Sequence, residues 1–163
     1  MAVEDALDVV LAERACERLI VEFVRRLDLG VPGDVAELFT KDGVWEWPEG
    51  GRRVHGRAAL RDYFASRPAD RLSRRVSTNI LVTVDTPVSA SSTSYFTPYR
   101  VDGHTGAMVA GRAPVNVGHY EDTSQNRGHV AAGHPDHRHR FRRTDREPEI
   151  SRRGRPVTGS RRA

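Results

Sequence analysis

The amino-acid sequence predicts an α+β domain in which a curved antiparallel sheet wraps around a long N-terminal helix. Apolar residues recur at helical spacing over residues 3–28, and from Val76 onward the apolar period changes to two. The composition then changes near Thr123 to Arg, His, Gly and Pro with almost no apolar periodicity. We therefore expect one domain over residues 1–122 and a basic, disordered tail over residues 123–163.

Turn and capping residues divide the domain into its elements. Gly30 and Pro32 end the first helix, and Asp34 is the expected N-cap of a short second helix. Pro48 closes a short strand, and Gly56 precedes a third helix. The remaining expected elements are strands over residues 44–47 and 54–55, a helix over 57–66, and longer strands over 76–84, 90–101 and 115–122.

Charge is distributed unevenly along the chain. The formal net charge is +4, but the segment from Thr123 holds 11 arginines and 4 acidic residues. The remaining 15 basic and 18 acidic residues make the predicted domain mildly acidic. The basic character of the whole chain therefore says little about the partners of the domain.

Cysteine content and hydropathy limit the class of protein. Cys16 is the single cysteine, so an intramolecular disulfide is excluded. The N-terminus is acidic and resembles no signal peptide, and no apolar run approaches membrane-spanning length. We expect a soluble cytoplasmic protein without a membrane partner.

Four segments in this order resemble the SnoaL-like branch of the nuclear transport factor 2-like superfamily over roughly residues 5–122. They are RLDLGVPGDVAELFTKDGVWEWPEG, VHGRAALRDYF, RRVSTNILVTVD and VGHYED. The resemblance implies a cone-shaped α+β barrel around one apolar pocket. It also implies one of the activities of that superfamily, which includes polyketide cyclases, dehydratases, dehydrochlorinases, ketosteroid isomerases, epoxide hydrolases and small subunits of ring-hydroxylating dioxygenases.

The segment after Tyr120 departs from the family pattern. Relatives continue into a final strand of the type Gly-Trp-Arg-Leu, which is not found here as written. Residues 129–138 can be encoded by codons whose shifted frame gives Thr-Trp-Arg-Leu-Ala-Thr-Arg-Thr-Ile. We therefore hypothesise that the tail is a frameshift product and that the final strand is lost, which would leave an unpaired strand edge.

The resemblance places two candidate catalytic residues, Asp28 and Arg75. Family dehydratases and dehydrochlorinases carry a catalytic Asp where Asp28 stands, so it could be a general base or orient one; alternatively it makes local hydrogen bonds at the helix end. The family often has His where Arg75 stands. Arginine stays protonated and cannot act as a base, but it could bind a carboxylate or stabilise an enolate. A surface position or a structural ion pair is the alternative.

Further residues are candidates for the pocket wall. Asn79 would share a face with Arg75 and could orient a carbonyl substrate, or make a structural bond to a loop. Trp47 stands where ketosteroid isomerases carry their base, which argues against that mechanism. His55 and His119 match no supported catalytic position. The expected substrate-binding residues, which could equally be core residues, are Trp45, Trp47, Tyr63, Asn79, Tyr95, Tyr99, Met108 and Tyr120.

The tail offers two further candidates that we do not favour. His134, His137 and His139 fit no defined zinc spacing, so no metal is expected. The Arg-rich end could neutralise phosphates, but it lacks interleaved aromatic residues and any recognised nucleic-acid-binding module. Nucleic acid is therefore not an expected partner.

Together these observations predict an enzyme that moves protons on a small apolar oxygenated molecule, by cyclisation, dehydration or isomerisation, without a metal or organic cofactor. The main alternative is a non-catalytic ligand-binding or assembly module on the same fold, favoured by the missing His. A nucleic-acid partner with a basic tail is a third hypothesis. We also expect a homo-oligomer, a dimer or trimer formed through the sheet.

Overall fold

The computed structural model describes the backbone of residues 3–126 and 139–146 and the side chains of residues 6–125. Within these residues the chain forms helices packed against one mixed, mainly antiparallel sheet, which confirms the α+β class. None of the helices described is both long enough and apolar enough to cross a membrane.

Two α-helices and a 3-10 helix pack on one face of the sheet. Helix α1 spans Val3–Leu29 and ends with a backbone hydrogen bond from Gly30 to Arg26. The 3-10 helix spans Pro32–Leu38, and its N-cap is Val31. The expected cap at Asp34 is therefore wrong, because Pro32 begins the helix at a position where no N–H partner is needed. Helix α2 spans Arg57–Ala65.

The described strands form a six-stranded sheet in the order β2-β1-β6-β5-β4-β3. The β1–β6 pair is parallel and the other neighbouring pairs are antiparallel. Strands β3 and β4 extend beyond the segments expected from the sequence, because backbone pairing continues where the apolar alternation has already faded. Strand β5 begins at Gly118, so its expected start at Val115 is wrong, and it continues to Asn126. The strands are β1 Val44–Trp47, β2 Arg52–His55, β3 Leu72–Thr86, β4 Ser89–Val101, β5 Gly118–Asn126 and β6 His139–Arg146.

Strand β6 corrects the expectation that the final strand is lost. Residues His139–Arg146 belong to the Arg-rich segment, yet they pair with β5 on one side and with β1 on the other. The edges of β1 and β5 are therefore covered, since backbone pairing does not depend on apolar side chains. The frameshift hypothesis concerns residues 129–138, which lie outside the described residues, and it stays a prediction.

A β-bulge at Asn79 reverses the side-chain alternation of β3. The pairing moves from Thr78–Tyr95 to Leu81–Thr93, which leaves one extra residue on β3. Asn79 takes that position with a φ of 52° and an exposed side chain. The inward face changes from Ser73, Arg75 and Ser77 before the bulge to Ile80, Val82 and Val84 after it. Asn79 therefore does not share a face with Arg75, and its expected place in the pocket is wrong.

The core lies between α1, the 3-10 helix, α2 and the inner face of the sheet. Phe23 of α1 is at its centre and makes edge contacts with Phe39, Phe64 and Tyr120, at ring-centroid distances of 6.3, 5.8 and 6.3 Å. Such contacts favour one arrangement of the rings over others. The core residues are Leu19, Ile20, Phe23, Leu27, Val35, Ala36, Leu38, Phe39, Trp45, Leu60 and Phe64.

Substitution at Asn79 tests the bulge. Asn79→Val places a β-branched residue in the left-handed region and should lower the free energy of unfolding by about 1–2 kcal/mol. Asn79→Gly should change it by less than about 0.5 kcal/mol, because glycine adopts this conformation without strain. Urea denaturation measures both variants. Equal losses for Gly and Val would contradict the bulge.

Truncation tests the role of β6. A chain that ends at Asn126 exposes the edges of β1 and β5 and should unfold at a clearly lower urea concentration than a chain that ends at Arg146. Identical midpoints for the two truncated chains would show that β6 adds nothing to the sheet.

Candidate functional site

A cavity of about 370 Å³ opens between the inner face of the sheet, α2 and the turn that follows α2. This volume is within the range of small-ligand sites in proteins. Its wall combines seven aromatic rings with five arginines. The lining residues are Leu27, Trp45, Trp47, Arg52, Tyr63, Phe64, Ser66, Arg67, Pro68, Arg71, Ser73, Arg75, Phe96, Pro98, Tyr99, Arg100, Val115, Asn116 and Tyr120.

The aromatic rings of the wall are fixed by packing on one another. The rings of Trp45 and Tyr63 stack at a centroid distance of 4.9 Å, and those of Phe96 and Tyr120 at 4.2 Å. Trp47 covers the turn after β1, where a Cβ at Gly50 would overlap its indole ring. The wall is therefore a preformed apolar surface on which a flat ring can stack.

Asp28 lies at the end of α1, directly behind Arg75. Its side chain is only 4% exposed, and it does not line the cavity. One carboxylate oxygen accepts hydrogen bonds from the Ser73 hydroxyl at 2.7 Å and from Nη1 of Arg75 at 2.9 Å. The other accepts the backbone N–H of Arg75 at 2.5 Å. This geometry fits Asp28 as the group that orients Arg75. It argues against Asp28 as a general base, because the carboxylate does not reach the cavity where a substrate would bind.

Arg75 is the charged group that this arrangement presents to the cavity. Its side chain is 20% exposed and lines the wall. A guanidinium held by a buried carboxylate is fixed in position and still has donors that can face a ligand oxygen. The structure therefore brings the two candidate catalytic residues together, with Arg75 in front and Asp28 behind.

Arg67 is a second, half-buried guanidinium in the wall. It follows α2 and donates hydrogen bonds to the Leu27 carbonyl at 3.2 Å and to the Ser73 hydroxyl at 2.7 Å. Burial, together with the positive charge of Arg75, lowers the pKa of Arg67 to about 10. Arg67 thus remains a cation at neutral pH. Within the described part of the chain, no carboxylate oxygen lies within 4.0 Å of it.

The other three arginines already have polar partners. Arg71 and Arg100 both pair with Asp102, at 2.6 and 3.4 Å. The hydrogen bond from Arg71, with Arg100 close by, holds the pKa of Asp102 below its usual value. Arg52 lies over the ring of Tyr63, with its guanidinium carbon 5.5 Å from the ring centroid, and donates a hydrogen bond of 3.3 Å to the phenol oxygen.

The structure separates the sequence-predicted pocket residues into two groups. Trp45, Trp47, Tyr63, Tyr99 and Tyr120 line the cavity, and their role in binding substrate stays a prediction.

Tyr95 and Met108 do not line the cavity, so these two predictions are wrong. The side chain of Tyr95 is 56% exposed on the outer face of β4, opposite His119 of β5. Met108 is 99% exposed in the loop between β4 and β5. In β4 the strict alternation turns Tyr95 outward when Phe96 turns inward.

The histidine candidates remain outside the site. His55 is exposed on β2, and His119 lies 3.6 Å from Glu121 without lining the cavity. His134 and His137 lie outside the described residues, as does the side chain of His139. Among the side chains described, no group of three or more His, Cys, Asp or Glu could hold a metal ion.

Sequence reasoning missed most of the positive charge of the wall. Arg67, Arg71 and Arg75 follow one another at intervals of four residues. This spacing would place them on one face of a helix, but they lie in a turn and a strand, so it does not predict that they meet. In a chain with 26 basic residues, single arginines carry no functional signal.

The Asp28–Arg75 pair can be tested by a double-mutant cycle. Arg75→Met leaves a buried carboxylate without its cation and should lower the free energy of unfolding by about 3 kcal/mol. Addition of Asp28→Asn should restore part of this loss. Arg74→Met is the matched control, because the described hydrogen bonds of Arg74 go to the Asp28 and Ser73 carbonyls, and it should cost about 1 kcal/mol or less. Strictly additive effects of the Asp28 and Arg75 changes would contradict the pair.

Solved structures show the same fold. An NTF2-like protein with a cystatin-like fold from Novosphingobium aromaticivorans superposes with a TM-score of 0.71 at 20% identity, covering 92% of this chain and 90% of that one. A scytalone dehydratase-like protein from the same organism gives 0.67 at 20% identity, with 87% of each chain covered. A type 2 hexachlorocyclohexane dehydrochlorinase gives 0.66 at 13% identity, covering 88% and 89%. At these identities the likeness shows the fold alone.

The sequence comparisons identify the family. No curated protein matches the chain. The family model of the SnoaL-like domain matches residues 8–145, which extends past residue 122 into β6. The chain therefore belongs to the SnoaL-like domain family.

Proposed function

We propose that this protein is an enzyme that moves a proton at a carbon atom next to a carbonyl group of a small, ring-containing substrate. Isomerisation, dehydration and cyclisation all begin with such a step. The observation that carries the proposal is the position of Arg75, a guanidinium fixed by Asp28 in the wall of an aromatic cavity. Neighbours of the same fold that are described as a dehydratase and a dehydrochlorinase also support it.

Arg75 is proposed to stabilise the charge that forms on the substrate. When a proton leaves the carbon, negative charge moves to the carbonyl oxygen. A preoriented guanidinium in a partly water-excluded wall stabilises that charge without having to reorganise during the reaction. Asp28 acts through Arg75 and is therefore a positioning residue.

Tyr63 is proposed to carry the proton. Its phenol oxygen accepts a hydrogen bond from Arg52, and its ring is held by the stack with Trp45. In the proposed step the deprotonated phenol oxygen takes the proton from the substrate carbon, and the electron pair of the broken C–H bond moves to the carbonyl oxygen beside Arg75. The phenol then returns the proton to the substrate, which restores the starting form of Tyr63. Trp47, Tyr99 and Tyr120 would enclose the substrate ring.

A second candidate is a non-catalytic module that binds a ligand in the same cavity. One observation favours it: the residues that line the cavity in the described chain include no Asp, Glu or His. The usual proton acceptors of this kind of chemistry are therefore not in the described wall.

Deuterium exchange into 2-tetralone separates the two candidates. Its benzylic C1 protons lie next to a carbonyl, so an enzyme of the proposed type should accelerate their exchange in D₂O, which NMR follows. Tyr63→Phe should slow the catalysed exchange by about 100-fold, because the proton carrier is removed while the Trp45 stack is kept. Tyr95→Phe is the matched control on the outer face and should leave the rate unchanged.

The outcomes of this experiment are distinct. Exchange at the unaltered rate in Tyr63→Phe would contradict the role of Tyr63. Binding of 2-tetralone without any acceleration of exchange by the unaltered protein would support the ligand-binding module instead.

A further inference from the structure

The charge of the cavity wall is strongly one-sided. Five arginines line it, and the described lining contains no carboxylate. Two carboxylates lie behind or beside the wall, where Asp28 pairs with Arg75 and Asp102 pairs with Arg71 and Arg100. A wall made for neutral ring ketones alone would need one or two donors, so the surplus of positive charge indicates a further requirement.

Arg67, like Arg52 on Tyr63, forms no ion pair with either of these two carboxylates. Its two described hydrogen bonds go to the Leu27 carbonyl and to the Ser73 hydroxyl, which are neutral acceptors. Partial burial of a cation is unfavourable unless nearby negative charge offsets it, and here Asp28 offsets only part of the cost while Arg75 adds to it. The reduced affinity of Arg67 for its proton, with a pKa lowered to about 10, is the expected result of this burial.

Ser73 joins Arg67 to the Asp28–Arg75 pair. The Ser73 hydroxyl accepts from Arg67 at 2.7 Å and donates to the Asp28 carboxylate at 2.7 Å. Nη1 of Arg75 lies 3.5 Å from the same hydroxyl. The guanidinium groups of Arg67 and Arg75 therefore approach each other around one serine, on the cavity wall, with a single carboxylate between them. Two guanidinium groups and one carboxylate have a net charge of one positive unit, which one further negative charge would neutralise.

We propose that the natural ligand is an aromatic carboxylate whose carboxylate group is bound by Arg67, beside Arg75, while its ring stacks on the aromatic wall. This rests on the proposed function, since the ligand occupies the same cavity. A carboxylate matches the planar fork of a guanidinium, and its single charge would balance Arg67, which has no ion pair with a carboxylate among the described residues.

Calorimetric titration with matched ligands tests the proposal. Naphthalene-2-carboxylate and naphthalene-2-carboxamide have nearly the same shape and differ in charge. The unaltered protein should bind the carboxylate at least about tenfold more tightly than the amide. Arg67→Met should abolish this preference. Arg14→Met is the control, because Arg14 lies on the exposed surface of α1, and it should keep the preference in full.

Each result has a defined meaning. Equal affinity of the unaltered protein for carboxylate and amide would overturn the carboxylate proposal and leave the proposed function intact. Tighter binding of 2-naphthyl phosphate than of the carboxylate would overturn the assignment of a monoanion. If neither naphthalene binds, the carboxylate proposal fails, and the exchange experiment with 2-tetralone decides the proposed function separately. The ligand comparison on the unaltered protein needs no variant, so it holds even if Arg67→Met does not fold.

Discussion

The buried carboxylate of Asp28 is the contact on which the arrangement of the site depends. It joins the last turn of α1 to β3 through three described hydrogen bonds, two from Arg75 and one from Ser73. Because one of these bonds uses the backbone of Arg75, the carboxylate fixes both the position of the strand and the direction of the side chain. A carboxylate with all these partners is a structural anchor, and the guanidinium in front of it is the charged group that faces the cavity.

Asp28 can bind Arg75 in the place where the resemblance leads us to expect His. The Asp and His expected from the resemblance would form a proton-accepting pair, whereas Asp and Arg form an ion pair that keeps its charges. An ion pair of this kind favours binding and stabilisation of negative charge over removal of a proton. The replacement changes what the site can do more than it changes where the site lies.

The sequence predicted the class of the fold, the long helix, strand β1 and the aromatic part of the wall. These features depend on local apolar periodicity, which the residues themselves show. The bulge at Asn79 could not be predicted, because its effect on alternation depends on how β4 pairs with β3. The same is true of Arg67, whose importance comes from a serine six residues away and from a helix end 40 residues away. Strand β6 was missed because its residues carry no apolar pattern.

The strand order has a consequence for synthesis of the protein. Strands β1 and β2 form one hairpin and β3, β4 and β5 form a second unit, and in the described sheet β6 alone joins the two. On the ribosome both units can emerge and pair internally before β6 is available. The cavity takes Trp45 and Trp47 from the first unit and Arg75 and Tyr99 from the second, so its wall depends on the two units lying side by side. A nascent chain that stalls before β6 emerges would expose two strand edges and a half-formed aromatic wall, a state that favours chaperone binding or aggregation.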